Sequence, residues 1–287
     1  MLKQRILTAL ILAPLVIAGI FYLPLAGFIA VMTLVTLVGC WEWSGFVHGK
    51  NNVLTTIILA MSLPLPALVA MAMAGQSLSL VELANHTVSQ AVLVIGAIWW
   101  GIATALTLSY PRSAQAWQSS TVFKLVSGML TLMPFLWSVS LLKMAQGSSA
   151  WLGAQLVLFV CLLVWAADSG AYFSGKSFGK HKMAPKVSPN KTIEGLFGGA
   201  LLAMLVGWGA ATWFQLPVNN WPVFLGVIAI TVVISVLGDL VESMFKRVAN
   251  IKDSGAILPG HGGILDRIDS LTAAFPIFAL LYLGLMG

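Results

Sequence analysis

Long apolar stretches separated by short polar ones run the length of the chain, with none of the strict alternation that marks a half-buried strand. About nine of them are long enough to cross a bilayer as helices: Ile6 to Leu23, Leu25 to Trp41, Val53 to Ala74, Ala91 to Tyr110, Val122 to Leu142, Leu152 to Tyr172, Gly195 to Phe214, Val223 to Glu242 and Ser270 to Met286. A helix satisfies its own backbone hydrogen bonds, which is the condition for entering hydrocarbon. The pattern therefore predicts an all-α polytopic membrane protein. Lys3 and Arg5 give the first run the charged start of a secretory signal, but no small-residue cleavage site follows it, so we read a retained first helix. Pro64, Pro66 and Pro134 interrupt runs in a way that neighbouring helices of a bundle tolerate.

Composition sharpens this. Of 287 residues, 59% are hydrophobic and 8% charged, against roughly a quarter charged in soluble domains. The chain has too much apolar surface for one soluble core. Nine spans alternate the loops between two sides, and one side collects Lys3, Arg5, Lys50, Arg112, Lys124, the lysines from Lys176 to Lys191, Lys246, Arg247, Lys252 and Arg267. The other has Lys143 alone, which predicts a cytoplasmic amino terminus and an outside carboxyl terminus. The net charge of +6 is then topogenic and implies no nucleic-acid partner, since no basic and aromatic residues interleave on a soluble module.

Cys40 and Cys161 lie inside apolar runs and read as small packing residues without a redox or metal role. Trp41, Trp43, Trp151, Trp213 and Trp221 fall near span ends, as an interfacial belt would place them, whereas Trp99, Trp100 and Trp165 read as packing residues. Seven of the nine acids follow Trp151. The expected division is residues 1–150, about five spans serving as scaffold, dimer contact and lipid access, and residues 151–287, a catalytic region of about four spans with two cytoplasmic loops.

The densest polar stretch runs from Gly238 to Asp269, GDLVESMFKRVANIKDSGAILPGHGGILDRID, and holds Asp239, Glu242, Asp253, Asp266 and Asp269 beside Lys246, Arg247, Lys252 and Arg267. Carboxylates with bases between them suit a divalent metal and a polyphosphate, because the metal takes hard oxygen ligands and the phosphates take cations. Asp239, Glu242 and Ser243 share one helix face, with Lys246 and Arg247 on adjoining rows. Glu242 with Lys246 is equally well an i, i+4 ion pair and nothing more. Asp239, near the hydrocarbon boundary without a sequence partner, calls for a metal or a residue from another helix.

Gly260, Gly262 and Gly263 permit close backbone approach to phosphate, and the amino end of the last helix adds amide donors beside Asp266 and Asp269. Helix capping is the alternative for the two acids, and it fits Asp269 with Ser270 better than Asp266. His261 reads as a hydrogen-bonding residue, a phosphate contact or a ligand. A second cluster spans Trp165 to Gly195: Asp168 at a span end, then five lysines and an SPNKT turn leading into a glycine-rich helix. A basic loop orients a membrane protein whatever else it does. Beyond that, Lys191 and Thr192 are the expected phosphate contacts, although the spacing is not that of a Walker A loop.

SMFKRVANIKDSGAILPGHGGILDRID resembles the signature of the phosphatidate cytidylyltransferases, also called CDP-diacylglycerol synthases, which runs S-x-apolar-K-R, four residues, K-D, then H-G-G-x-x-D-R-x-D. Ser243, Lys246, Arg247, Lys252, Asp253, His261, Gly262, Gly263, Asp266, Arg267 and Asp269 all match. ADSGAY, GKHK, SPNKT and the overall layout also resemble bacterial members. The resemblance implies CTP and phosphatidic acid as substrates, CDP-diacylglycerol and pyrophosphate as products, and an all-helical homodimer in the bacterial cytoplasmic (inner) membrane. It further implies Mg2+, alone or with a second monovalent or divalent cation.

Carried onto these positions, Asp239 and Asp266 are the expected metal ligands, with Asp269 as catalytic support. Lys246, Arg247 and Lys252 are the catalytic cations that hold phosphate. Lys191, Thr192, Asp168, Ser243, His261, Gly262, Gly263 and Arg267 line the substrates, with the locking of Asp269 as the alternative role of Arg267. A CTP-dependent polyprenol-type lipid kinase would share bundle and nucleotide site but lack the long signature. A secondary transporter would show mid-bilayer charge and a two-halves repeat, neither of which the chain has. The paired D-x-x-D-G and D-x-x-x-D elements of a CDP-alcohol phosphotransferase are missing too.

Overall fold

The computed structural model describes residues 2–63, 79–147, 149–257 and 262–285, with side chains from residue 11 onward. Its helices in chain order are α1 (Leu2–Tyr22), α2 (Leu25–His48), α3 (Val53–Ala60), α4 (Leu80–Asn85), α5 (Thr87–Leu108), α6 (Ala114–Trp117), α7 (Thr121–Met144), α8 (Leu152–Phe178), α9 (Ile193–Trp213), α10 (Trp221–Val248) and α11 (Leu265–Gly284). Seven of these, α2, α5 and α7 to α11, are long and apolar enough to cross a membrane. The protein is accordingly a helical, multi-span membrane protein. The third expected span begins as α3; its continuation to Ala74, with Pro64 and Pro66, lies outside the described residues.

The helices overrun their apolar stretches at one end of the bundle. α2 continues past Trp41 to His48, α8 past Tyr172 to Phe178 and α10 past Glu242 to Val248, while α11 starts at Leu265 ahead of Ser270. Hydropathy marks where lipid-compatible residues stop. Helix continues wherever its polar side chains find partners within the protein, and these extra turns carry most of the charged residues described below.

One expectation of wholly helical structure is corrected. Between α8 and α9 the chain forms an antiparallel hairpin, β1 (Lys182–Ala184) with β2 (Ser188–Thr192), in register Lys182 with Thr192 and Ala184 with Ser188. The SPNKT segment is strand β2 rather than a turn. Glu194, in the first turn of α9, accepts hydrogen bonds from the backbone N–H of Lys180 at 3.1 Å and from His181 Nδ1 at 2.6 Å. This ties the start of the hairpin to the helix that follows it. α8 and α9 lie close enough that a Cβ on Gly199 would stand 2.5 Å from the Ala167 carbonyl oxygen, the small-residue approach that lets membrane helices gain van der Waals contact without a hydrophobic driving force.

Two apolar clusters fill the interior, and each draws residues from both sides of Trp151. One surrounds Phe135, Phe159, Phe224, Phe275, Phe278 and Tyr282. The other surrounds Trp43, Phe46, Trp99, Trp100, Trp117 and Phe245. Trp99 and Trp100 are packing residues, as their depth in the runs implied, and Cys40 and Cys161 are buried free thiols. Trp43 departs from the expected interfacial belt. It is buried, 5.2 Å from the Phe46 ring and 5.0 Å from that of Phe245, and its Nε1 donates to the Lys124 carbonyl at 3.0 Å. Trp151 and Trp213 are exposed at helix ends as expected, whereas Trp41 is partly exposed two turns before the end of α2.

Candidate active site

α2, α8 and α10 end where α9 and α11 begin, and there the acids and bases of distant segments meet. Asp239, in α10, is bound by Lys191 at the end of β2: Nζ lies 2.7 Å from Asp239 Oδ2 and also donates to the Val236 carbonyl at 3.0 Å. Ser243 Oγ, one turn along α10, donates to Asp239 Oδ1 at 3.3 Å. The distant partner that Asp239 called for is thus Lys191, supplied by strand β2 rather than by another helix, some fifty positions earlier in the chain. Asp168, on α8, is in electrostatic reach of Lys191, Asp239 and Arg267, which joins the second sequence cluster to the first.

Lys246 is the centre of the arrangement. Its Nζ lies 3.0 Å from Glu242 Oε1 on its own helix and 2.7 Å from Asp266 Oδ1 on α11, and all three side chains are about nine-tenths buried or more. The i, i+4 ion pair is real, yet it is half of a three-residue bridge between two helices. Asp269, one turn further along α11, is near enough to feel the charges of Asp239, Glu242 and Lys246.

The expected cap at Asp269 and Ser270 is corrected: both lie inside α11, and the Asp269 carboxylate accepts only from the adjacent Ser270 N–H at 2.7 Å among the described residues. The loop ahead of α11 is organised by Asp266 instead. Its Oδ2 accepts from Ser254 N–H at 2.9 Å, Ser254 Oγ at 3.0 Å and Gly263 N–H at 2.8 Å. Gly262 has φ +84°, and a Cβ there would stand 2.6 Å from Asp266 Oδ2, so glycine is required by both backbone conformation and space.

The carboxylate that sits at the start of α11 comes from a residue that the sequence analysis passed over. Glu42, on α2 and 1% exposed, accepts from the N–H of Ile264 at 3.0 Å, the N–H of Leu265 at 2.7 Å and Ser254 Oγ at 2.9 Å. A signal was present. Glu42 is an acid at a span end with no sequence partner, the same reasoning that singled out Asp239.

Other expected site residues stand apart. Arg247 is exposed, and its Nε donates to the Val187 carbonyl of the hairpin at 3.1 Å rather than to the acid cluster. Lys252 is exposed on the loop. Thr192 Oγ1 accepts from Gly195 N–H at 3.1 Å as the N-cap of α9, so its hydroxyl is engaged in the fold. Arg267 is exposed on α11 near Asp168. His261 and Gly260 lie outside the described residues.

Asp168, Asp239, Glu242, Asp266 and Asp269 face the cations Lys191, Lys246 and Arg267, so that carboxyl groups outnumber cations among these residues. Among the described residues no three His, Cys, Asp or Glu side chains converge as a complete metal site. That donor set still suits Mg2+, which is commonly held by one or two carboxylates and completed by substrate phosphates and water.

Comparison with known proteins places the chain. The model of the Cytidylyltransferase family matches residues 3–285. The phosphatidate cytidylyltransferase of Haemophilus influenzae is 39% identical over 289 residues, covering 98% of this chain and 99% of the relative. That of Pseudomonas aeruginosa is 42% identical over 283 residues, covering 98% and 97%. A Staphylococcus epidermidis phosphatidate cytidylyltransferase is 50% identical over 132 residues, 45% of this chain and 49% of the relative. With a family match and two relatives that run almost end to end, this chain belongs to the cytidylyltransferase family.

Proposed function

We propose that this protein is a phosphatidate cytidylyltransferase, moving the CMP group of CTP onto phosphatidic acid to give CDP-diacylglycerol and pyrophosphate, an early step of phospholipid synthesis. The observation that carries the reading is the nearly end-to-end likeness to two relatives of that name, at 39% and 42% identity. A phosphate oxygen of phosphatidic acid attacks the α-phosphorus of CTP in line. The new P–O bond forms as the bond from that phosphorus to the oxygen bridging toward the β-phosphate breaks, and pyrophosphate leaves. No covalent enzyme intermediate is required.

Lys191 and Lys246 are cations held in place by Asp239 and by Glu242 with Asp266. In the complex they turn toward phosphate oxygens, the carboxylates having fixed their positions beforehand. Arg267 and Lys252, both exposed, reach substrate from the rim. Asp239 and Asp266, supported by Asp269 and Asp168, are the residues that would hold Mg2+. When bound, the ion offsets charge on the attacked phosphate and the departing pyrophosphate. Asp239 and Asp266, the residues that would hold the ion, are each paired with a lysine, Lys191 and Lys246, and these lysines would supply the cationic contacts to substrate phosphate.

The asymmetry of basic residues supports a cytoplasmic site end and amino terminus, where CTP is available, with the carboxyl terminus outside. Bacterial relatives of this kind support an inner-membrane location, and we propose a homodimer. Building a nucleotide enzyme from membrane helices lets the diacyl tails stay in lipid while the head group reaches the charged end of the bundle.

The test is purified protein given phosphatidic acid, Mg2+ and CTP labelled at the α-phosphate, with Asp266→Asn alongside. Label should enter CDP-diacylglycerol with pyrophosphate release, and the variant should lose about a hundredfold or more in rate. Lipid labelled only by γ-labelled CTP would replace this reading with a lipid kinase. Movement of neither label by folded, lipid-supplied protein would sink both.

A further inference from the structure

We infer that Glu42 and Ser254 are positioning residues for Asp266, fixing which of its carboxylate oxygens faces the reacting groups; this rests on the activity proposed above. Asp266 Oδ2 accepts from two amides, Ser254 N–H at 2.9 Å and Gly263 N–H at 2.8 Å, and lies 3.0 Å from Ser254 Oγ, whose one proton it shares with Glu42. Only Oδ1 remains, and it lies 2.7 Å from Lys246 Nζ. The carboxylate therefore cannot rotate without breaking several hydrogen bonds. One oxygen holds the loop, and the other is presented to Lys246 and to whatever displaces it.

Glu42 holds the residues that do the holding. The Ser254 hydroxyl bridges the two acids, 2.9 Å from Glu42 Oε2 and 3.0 Å from Asp266 Oδ2. Glu42 also takes two of the free amides at the start of α11, those of Ile264 and Leu265. Those donors and the positive end of the helix compensate a buried carboxylate that has no cation partner among the described residues. The pocket is shaped for that group. A Cβ on Gly255 would stand 2.5 Å from Glu42 Oε1, and one on Gly263 would collide with Ser254 Oγ and Glu42 Oε2. α2 thereby reaches across more than two hundred positions to set the carboxylate that the signature supplies.

Ser254→Ala separates positioning from stability, because it removes the bridge and leaves both amide contacts of Glu42 in place. In full-length protein in lipid–detergent micelles, we expect Ser254→Ala to elute and melt like the parent while kcat falls about tenfold and KM for phosphatidic acid moves less than about twofold. Glu42→Gln should lose more, and the double variant should be no slower than Glu42→Gln, since the two residues act as one unit. Hydrogen exchange over residues 264–268 should quicken in Glu42→Gln and stay parental in Ser254→Ala, a readout that needs no turnover. Parental kcat in Ser254→Ala, or losses that multiply in the double variant, would overturn the inference. If Glu42→Gln does not fold, Ser254→Ala decides alone. A parent that releases no pyrophosphate would sink the activity reading, whereas unchanged exchange in Glu42→Gln would sink the role of Glu42.

Discussion

Replacing Lys246 by Met removes the one cation that two buried carboxylates share. The side chains of Lys246, Glu242 and Asp266 are 11%, 4% and 7% exposed, so solvent does little to replace the lost partner. Breaking such a pair from one side costs about 3–5 kcal/mol, because a desolvated charge is left behind. The two carboxylates do not suffer alike. Asp266 keeps the Ser254 and Gly263 donors, whereas Glu242 has no other hydrogen-bond partner among the described residues. Most of the loss therefore falls on Glu242, and Glu242→Gln should restore stability in the Lys246→Met background. At about 2–4 °C per kcal/mol for large domains, Lys246→Met should melt roughly 6–20 °C below the parent, and the double variant should regain about half of that or more. The assay is thermal unfolding in detergent at one fixed scan rate, since unfolding of such proteins is commonly irreversible. Neither variant should turn over substrate. A parental Tm for Lys246→Met, or a double variant less stable than the single, would refute the idea that this bridge joins α10 to α11.

Gly199→Ala should destabilise by about 1–3 kcal/mol, because its Cβ meets the Ala167 carbonyl, whereas Gly209→Ala on the same helix meets nothing within 4 Å and should be neutral or stabilising; melting both variants side by side checks this. Cysteine placed at Lys252 should react with a membrane-impermeant maleimide in inside-out vesicles and stay silent in right-side-out ones. The native thiols at Cys40 and Cys161 are buried and give little background, and the reverse labelling would overturn the proposed orientation. Stripping divalent ions with a chelator should abolish label transfer from CTP and Mg2+ should restore it; full turnover in the chelator would remove Mg2+ from the proposal.

Much of this protein is local information. Apolar run length suffices to call helices that cross a membrane, since in hydrocarbon no other open structure satisfies its backbone, and among the described residues seven of the nine expected runs appear as long apolar helices. The signature around Lys246, Asp266 and Asp269 was legible because its residues lie close together in the chain. So was the unmet need of Asp239 for a distant partner. Tertiary structure decided who meets whom. It paired Asp239 with Lys191 and turned Arg247 outward onto the hairpin. It also made Thr192 a helix cap and buried Trp43 against Phe245, where proximity to a span end had suggested an interfacial position. Above all it brought Glu42 to the start of α11, at separations of 212 to 223 positions. Periodicity and motif spacing report on a residue's own helix. A buried carboxylate takes its meaning from donors supplied by another one, and only the packed bundle fixes which those are.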